Sequence, residues 1–308
     1  MPPVARPFGP SLSRRAVLAG GAATLLLAAC GSDGSDGSSG DKPTTTAGDD
    51  TDNAGPGALI SLFPQADFVV AKIPQRITFG LADEGGAMLN EAPANLDFEV
   101  QQNRKTIMEL TSAFHNEGIP RGYYPLELTL PSTGNYTVVT SVGGTRIDAS
   151  FEVADETSVP QVGDVMPVFD TPTTSDPQGV DPICTADPQC ALHADDLRAT
   201  LAAKKPTALL VGTPAYCQVQ ICGPVLDVLL AEQPSAPGVT CIHAEVYQNG
   251  SAAAEDIQSA KLTEAITQLG LTYEPALFVI GADGKLSSRL DNIFDQAELR
   301  RALAKVTA

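Results

Sequence analysis

Six cysteines and three histidines carry the most distinctive chemistry in this 308-residue chain. Two of the cysteines lie in Thr213-Pro214-Ala215-Tyr216-Cys217-Gln218-Val219-Gln220-Ile221-Cys222-Gly223-Pro224. The apolar run 208–212 precedes them, and residues 225–232 read as a helix after them. Two cysteines at a strand-to-helix junction point to thiol–disulfide chemistry. Cys217 is expected near the helix N-terminus, where backbone N–H groups and the dipole favour a thiolate. The thiolate is the nucleophile: a thiol of ordinary pKa, about 8.5, is ionised by only a few per cent at neutral pH. The same pair also fits a disulfide that merely closes a loop, and both readings stay open. Cysteines at i and i+5 of one helix cannot meet the Cα separation of about 4.4–6.8 Å that a disulfide needs. A bonded pair therefore requires a loop between the cysteines and a helix starting near Pro224, a residue suited to a first turn.

Cys184 and Cys190 enclose the short loop Thr185-Ala186-Asp187-Pro188-Gln189 and are expected to form a structural disulfide. Closing so small a ring stabilises by roughly 2 kcal/mol. No Cys-x-x-Cys-His haem motif or paired Cys/His zinc spacing occurs, so neither a metal nor a cofactor is expected. Cys241 reads as a buried inert thiol on a strand over 239–246, with His243 on the same strand face. A copper site built from Cys217, Cys222 and His243 is a lesser alternative. His115, in Phe114-His115-Asn116-Glu117-Gly118, reads as a solvated loop histidine.

The formal net charge is −18, and the first 29 residues hold three arginines and no acidic residue, so the remainder is more negative still. Such a surface argues against nucleic acid and against direct binding to anionic lipid. No apolar stretch reaches the roughly 20 residues of a spanning helix. Residues 30–57 are rich in Gly, Ser and Asp and nearly free of apolar side chains. They read as a disordered acidic tether with an r.m.s. reach of roughly 30 Å.

From 58 to 155 the pattern alternates with period two, as in Leu96-Asp97-Phe98-Glu99-Val100, Leu126-Glu127-Leu128-Thr129-Leu130 and Ile147-Asp148-Ala149-Ser150-Phe151. With further candidates at 59–63, 76–81, 106–114 and 135–142, the spacing predicts an antiparallel β-sandwich. Residues 156–182 are rich in Pro, Asp and Thr and read as a connector. The remainder, 183–308, alternates helix and strand: a helix at 193–203, a strand at 207–212, a helix at 225–232, a strand at 239–246 and a helix at 255–269. A hairpin over 276–290 and a last helix capped by Asp295 with Glu298 complete a mixed sheet flanked by helices.

Several motifs resemble known families. Arg14-Arg15 followed by the apolar run 16–29 resembles a twin-arginine export signal over residues 1–29. Leu27-Ala28-Ala29-Cys30 resembles a bacterial lipobox, which implies acylation of Cys30 and anchoring at the extracytoplasmic face of the cell membrane. In that compartment disulfides persist. Thr133-Gly134-Asn135-Tyr136 resembles the tyrosine corner of immunoglobulin-like folds. Residues 183–308 resemble the thioredoxin-like superfamily: cysteines follow the central strand, Tyr216 precedes the first, and Pro275 in Tyr273-Glu274-Pro275-Ala276 precedes the hairpin.

The resemblances imply a multidomain chain, an N-terminal all-β immunoglobulin-like sandwich plus a C-terminal α/β thioredoxin-like domain. They also imply a cis Pro275 facing the cysteines and thiol–disulfide exchange with exported protein partners. Cys217 would be the attacking cysteine and Cys222 the resolving one. The spacing departs from that family, since four residues rather than two separate the cysteines. The alternative from another class is a non-catalytic binding or scaffold lipoprotein with permanent disulfides. An atypical two-cysteine peroxidase, which Thr213-Pro214 resembles, is a lesser one.

Overall fold

Leu96, Phe98 and Val100 are buried and Asp97 is exposed on one strand, and the same two-sided pattern organises the first half of the chain. The computed structural model describes residues 56–307 except 65–67, 218 and 258, so the expected export signal, Cys30 and nearly all of the tether lie outside the described residues. Seven strands follow: β1 (Ala58–Ser61), β2 (Pro74–Ala82), β3 (Asn95–Gln102), β4 (Lys105–Ala113), β5 (Tyr124–Thr129), β6 (Gly134–Val142) and β7 (Thr145–Val153). They form two antiparallel sheets, β1-β2-β5 and β4-β3-β6-β7. One core holds Ile77, Phe79 and Leu126 of the first sheet with Phe98, Val100 and Phe151 of the second. Phe63 stands edge-on to both Phe79 and Phe151, each with centroids 5.5 Å away. Tyr136, near the start of β6, donates its hydroxyl proton to the Ser132 carbonyl at 2.7 Å.

In the second half the two central strands are buried on both faces and read as largely apolar runs. β8 (Thr207–Val211) and β10 (Ala276–Ile280) are wholly buried and lie side by side at the centre of the order β11-β10-β8-β9. β9 (Thr240–Ala244) runs parallel to β8, whereas β10 is antiparallel to β8 and to β11 (Leu286–Asp291). Helices α2 (Cys222–Glu232) and α5 (Gln296–Thr307) cover one face, where Leu226, Leu229 and Leu299 meet Ala208 and Leu210. Helices α1 (Leu197–Ala202) and α4 (Glu264–Leu269) cover the other, where Leu197, Ile266 and Leu269 meet Leu209 and Val211. Val159, Met166 and Phe169, from the stretch before this sheet, join that second core. This is a βαβ unit followed by a ββα unit in one mixed sheet, as the sequence predicts.

Two helices differ from the sequence expectation. The single helix expected over 255–269 is two, α3 (Gly250–Glu255) and α4. Asn249 accepts from Ala252 N and starts α3, while residues 261–263 leave helix to pair with the extension of β9, through Gln248 N to Lys261 O and Thr263 N to Val246 O, each 2.8 Å. The helix expected from 193 begins only at Leu197, because Asp196 caps it by accepting from Ala199 N at 2.8 Å. His193 is thereby left in a loop.

Residues 52–308 form one compact unit, and a buried polar seam joins its two halves. Arg76 of β2 binds the Glu298 carboxylate through Nε at 2.5 Å and Nη2 at 2.6 Å, and donates to the Ile293 carbonyl at 2.6 Å. Tyr123 donates its hydroxyl to the same carboxylate and accepts from Asp295 N at 3.0 Å. His115 is buried here, its Nδ1 2.9 Å from Asp295 Oδ1, so it is not the solvated loop residue expected from sequence. Beside it, Arg289 pairs with Asp291 at 2.8 Å and lies over the ring of Phe68 at 4.8 Å.

Removing one member of a buried ion pair leaves an uncompensated charge, at a cost of about 3–5 kcal/mol. Arg76→Ala is accordingly expected to lose about that much stability, and Arg76→Met with Glu298→Gln distinctly less. Urea unfolding followed by circular dichroism reads both, the chain having no tryptophan. Equal losses in the two variants would show that the seam is held by packing rather than by charge.

Candidate functional site

Gly212 turns the chain out of β8 into the loop that carries the cysteines. A Cβ at Gly212 would stand 3.3 Å from Pro275 Cβ and 3.6 Å from Cys222 Sγ, so the sulfur and the proline approach across a position with room only for hydrogen. Thr213, fully buried, donates its N–H to the Glu274 carboxylate at 2.5 Å, and its hydroxyl oxygen accepts from Val246 N at 3.0 Å. These bonds hold the start of the loop between the ends of β9 and β10.

Cys217 and Cys222 are joined by a disulfide, with Cα atoms 6.0 Å apart. Gln220, at a φ of 54°, turns the chain back, and Ile221 is the residue from which α2 begins. The helix thus starts at Cys222 with Pro224 in its first turn, close to where a bonded pair requires it. Cys222, not Cys217, meets the helix N-terminus, which corrects the sequence expectation. Both cysteines are buried, Cys222 at 1% exposure and Cys217 at 7%. The Glu274–Pro275 peptide is cis, and Pro275 is buried at the head of β10. The ring of Tyr216 packs on the start of α3, where a Cβ at Gly250 would fall 2.6 Å from Tyr216 Cε2.

Glu274, which sequence reasoning did not single out, is a titratable group lying against the disulfide. Its Oε2 lies 3.6 Å from Cys222 Sγ. Burial pushes its carboxyl up to about 7, and the nearby Glu245 carboxylate adds to the rise, while the bonds from Thr213 oppose it. Its position immediately before a proline at the sheet's edge was the available signal. Beside it opens a groove of about 320 Å³ lined by Val219, Tyr247, Leu262, Ile266, Tyr273 and Glu274. Val219 and Leu262 stand 46% and 42% exposed at this groove. Arg121, from the first half of the chain, donates to the Val219 carbonyl at 3.2 Å.

The other cysteines are arranged differently from expectation. Cys184 and Cys190 are not joined: their sulfurs are 3.6 Å apart, well beyond the bonding distance of about 2.05 Å. Both face histidine nitrogens instead, with Cys190 Sγ 3.4 Å from His193 Nε2 and 3.4 Å from His243 Nδ1. The Cys184 thiol is held well below its ordinary pKa, mainly by the S–H of Cys190 and further by the two imidazoles, and Cys190 is raised correspondingly. His243 therefore belongs with this pair and not with Cys217 and Cys222, as the copper alternative required. Cys241 is buried and unbonded, its thiol pushed up to about 11 by burial. Ligating groups also meet at His115, Asp295 and Glu298, where Glu298 is already engaged by Arg76 and the Tyr123 hydroxyl, and Asp295 by His115 and the Glu298 N–H.

No protein-family model and no curated protein matches the chain. Among solved structures, a putative thiol:disulfide interchange protein DsbE from Chlorobium tepidum is similar at 12% identity and a TM-score of 0.34, over 48% of this chain and 99% of that one. The C-terminal domain of a putative thiol-disulfide oxidoreductase from Bacteroides thetaiotaomicron is similar at 12% identity and a TM-score of 0.31, over 48% and 96%. The PKD domain from the human VPS10 domain-containing receptor SorCS2 is similar at 16% identity and a TM-score of 0.19, over 41% and 97%.

Glu274 ties stability to pH. Its carboxyl titrates near 7 when folded, against an ordinary value of 4.5, so between these values the folded chain binds more protons than the unfolded one. Its contribution is fully present below about pH 4.5 and is lost as pH rises through about 7. The oxidised protein is expected to lose on the order of 2–3 kcal/mol across that window relative to Glu274→Gln. Denaturant titrations at a series of pH values measure the difference, and parallel curves for the two proteins would contradict the assignment.

Proposed function

We propose that this chain is a membrane-anchored extracytoplasmic lipoprotein whose thioredoxin-like domain exchanges disulfides with exported protein partners. The observation that carries this reading is the Cys217–Cys222 disulfide set at the N-terminus of α2, against cis-Pro275 and the Glu274 carboxyl. In the reduced protein the Cys217 thiolate attacks one sulfur of a partner disulfide. A Cys217–partner bond forms, and the partner's other sulfur leaves as a thiolate and takes a proton from solvent. Glu274 accepts the Cys222 proton, and the Cys222 thiolate attacks Cys217 Sγ. The Cys217–Cys222 bond of the structure is restored, the second partner thiol is released, and two electrons have passed to the partner. Run backwards, the same steps oxidise a partner dithiol. The helix N-terminus lowers the cost of the Cys222 thiolate. The groove beside Glu274, with Val219 and Leu262 exposed along it, suits an extended apolar segment of the partner.

The first half of the chain is read as an immunoglobulin-like sandwich over 58–155, which its β1-β2-β5 and β4-β3-β6-β7 pairing and the Tyr136–Ser132 hydrogen bond support. Residues 156–182 are the connector and 183–308 the thioredoxin-like domain. Acylation of Cys30 supplies the anchor, and among the described residues no helix is long and apolar enough to cross a membrane. The rival reading is a binding or scaffold lipoprotein with a permanent disulfide, and the burial of both sulfur-bearing residues favours it.

Reduction potential separates the two. Structural disulfides lie below about −300 mV, and the Cys217–Cys222 couple is expected well above that mark. Cys222→Ser is expected to trap a mixed disulfide with a partner through Cys217, and Cys217→Ser to trap none. A potential under about −300 mV would sink the exchange reading in favour of the permanent staple. For the anchor, Cys30→Ala is expected to move the protein out of the membrane fraction of expressing cells, and retention there would exclude acylation as its basis.

A further inference from the structure

Two thiols and two imidazoles converge on one point behind the disulfide loop. Cys184 and Cys190 come from the loop that precedes α1, His193 from its end, and His243 from β9. The sulfurs are 3.6 Å apart, the sulfur-to-nitrogen distances recorded are 3.4, 3.4 and 3.7 Å, and the two nitrogens are 3.2 Å apart. No two of the four donor atoms are more than 4.8 Å apart. Zinc bonds of about 2.3 Å to sulfur and 2.0–2.1 Å to nitrogen give tetrahedral edges of about 3.8 Å between sulfurs, 3.5 Å between sulfur and nitrogen, and 3.3 Å between nitrogens. The five recorded edges each lie within about 0.2 Å of these values, although one sulfur–nitrogen edge, 3.7 Å, exceeds the sulfur–sulfur edge of 3.6 Å.

Hydrogen bonding alone does not account for the convergence. His243 Nε2 lies 2.8 Å from the Gly212 carbonyl, an acceptor only, so Nε2 carries a proton, and Nδ1, whenever it carries none, presents a lone pair. That lone pair faces Cys184 Sγ, Cys190 Sγ and His193 Nε2 together, three neighbours for one acceptor site. A cation at the common centre satisfies all four donors at once. The surroundings are those of a built metal site. Metal-bound histidines characteristically donate their other N–H to a carbonyl or carboxylate, as His243 does to Gly212. Cys190 N donates to Cys184 Sγ at 3.4 Å, which favours a thiolate there. Glu245 accepts from Thr185 N at 2.6 Å and from its hydroxyl at 3.0 Å, fixing the loop that carries Cys184. Cys184, His193 and His243 are buried at 0–1% exposure, and His193 Nδ1 has no hydrogen-bond partner. Two thiolates around a divalent cation also leave the buried cluster without net charge.

We infer that Cys184, Cys190, His193 and His243 form a closed, tetrahedral zinc site that fixes the 184–193 loop against β9. Four protein ligands leave no open position, so the site is structural and distinct from the Cys217–Cys222 centre. It touches that centre on its far side: His243 holds the carbonyl of Gly212, and the Thr185 hydroxyl accepts from Ala215 N at 3.2 Å.

The test uses the full soluble chain purified under reducing conditions, with zinc(II), cobalt(II) and copper(I) offered separately and metal content measured after gel filtration. One zinc per chain is expected, and cobalt is expected to give the intense visible bands of a tetrahedral thiolate site. Cys190→Ser, at the most exposed of the four ligands, is expected to lower zinc affinity by roughly 100-fold or more. The Cys217→Ser, Cys222→Ser double variant is expected to leave the stoichiometry at one. Because His243→Ala removes a fully buried ring and risks misfolding, the cobalt spectrum of the unaltered chain decides independently. Loss of zinc binding in the Cys217/Cys222 double variant overturns the proposal. Retention of copper(I) without zinc, an octahedral cobalt spectrum, or a Cys184–Cys190 disulfide that survives reduction overturns it too.

Discussion

At Gly212 three things must occupy the space of one missing side chain. Pro275 presses from β10, Cys222 from the first turn of α2, and the carbonyl of the same residue receives the imidazole of His243 from β9. Any Cβ there would sit 3.3 Å from Pro275, tighter than ordinary contact. A helix start, a strand head and a parallel neighbour come to one point beside Gly212, the residue that follows β8 and carries no side chain to crowd them. Thr213 then fixes the exit direction by giving its N–H to Glu274 and receiving Val246 N. The disulfide, the acid beside it and the cysteine–histidine cluster behind it therefore share one backbone junction.

That junction sits in a domain whose polar groups are unusually committed elsewhere. Asp291, Asp295 and Glu298, all buried, are occupied by Arg289, His115, Arg76 and Tyr123. Each is held by partners that keep a carboxylate charged inside protein, where an unpaired one is costly. Glu274 is the contrast. It receives one strong bond, from Thr213, and no cation, so burial governs its titration. What separates Glu274 from these carboxylates is that no basic side chain arrives to pair with it.

Much of the fold was legible because its elements obey local rules. All seven strands of the first half fall on the expected segments, and in runs such as Leu96-Asp97-Phe98 the alternation is set by which face meets the core. Strands β8 and β10 fall on unbroken apolar runs, and Asp295 caps α5 by accepting from Glu298 N at 2.8 Å. What failed to show was set by long-range pairing. The 255–269 helix is interrupted because 261–263 pairs beside β9, a partnership that periodicity does not encode. The start of α2 at Cys222 follows the left-handed turn at Gln220, a residue with no special claim to that conformation. His193 and His243 lie 50 positions apart and meet only because the loop before α1 runs along β9, with His243 N bonded to the Leu192 carbonyl. Cys184 and Cys190 read as a staple from their closeness in sequence, whereas one of the groups they face, His243, lies 53 positions or more away.

The seam around Arg76 has a meaning for inheritance as well as for stability. Domains that move between proteins as cassettes meet their neighbours through surfaces that tolerate water. Here β2 and the Tyr123 strand reach across to complete the charge balance of α5, and Phe68 covers Arg289. A copy of residues 183–308 transplanted alone would leave Asp295 without His115, Glu298 without Arg76 and Tyr123, and Arg289 without the ring of Phe68 over it. The two halves are thus bound to change together, a substitution at Arg76 demanding an answer at Glu298, so that what looks in outline like two borrowed modules behaves as a single heritable piece.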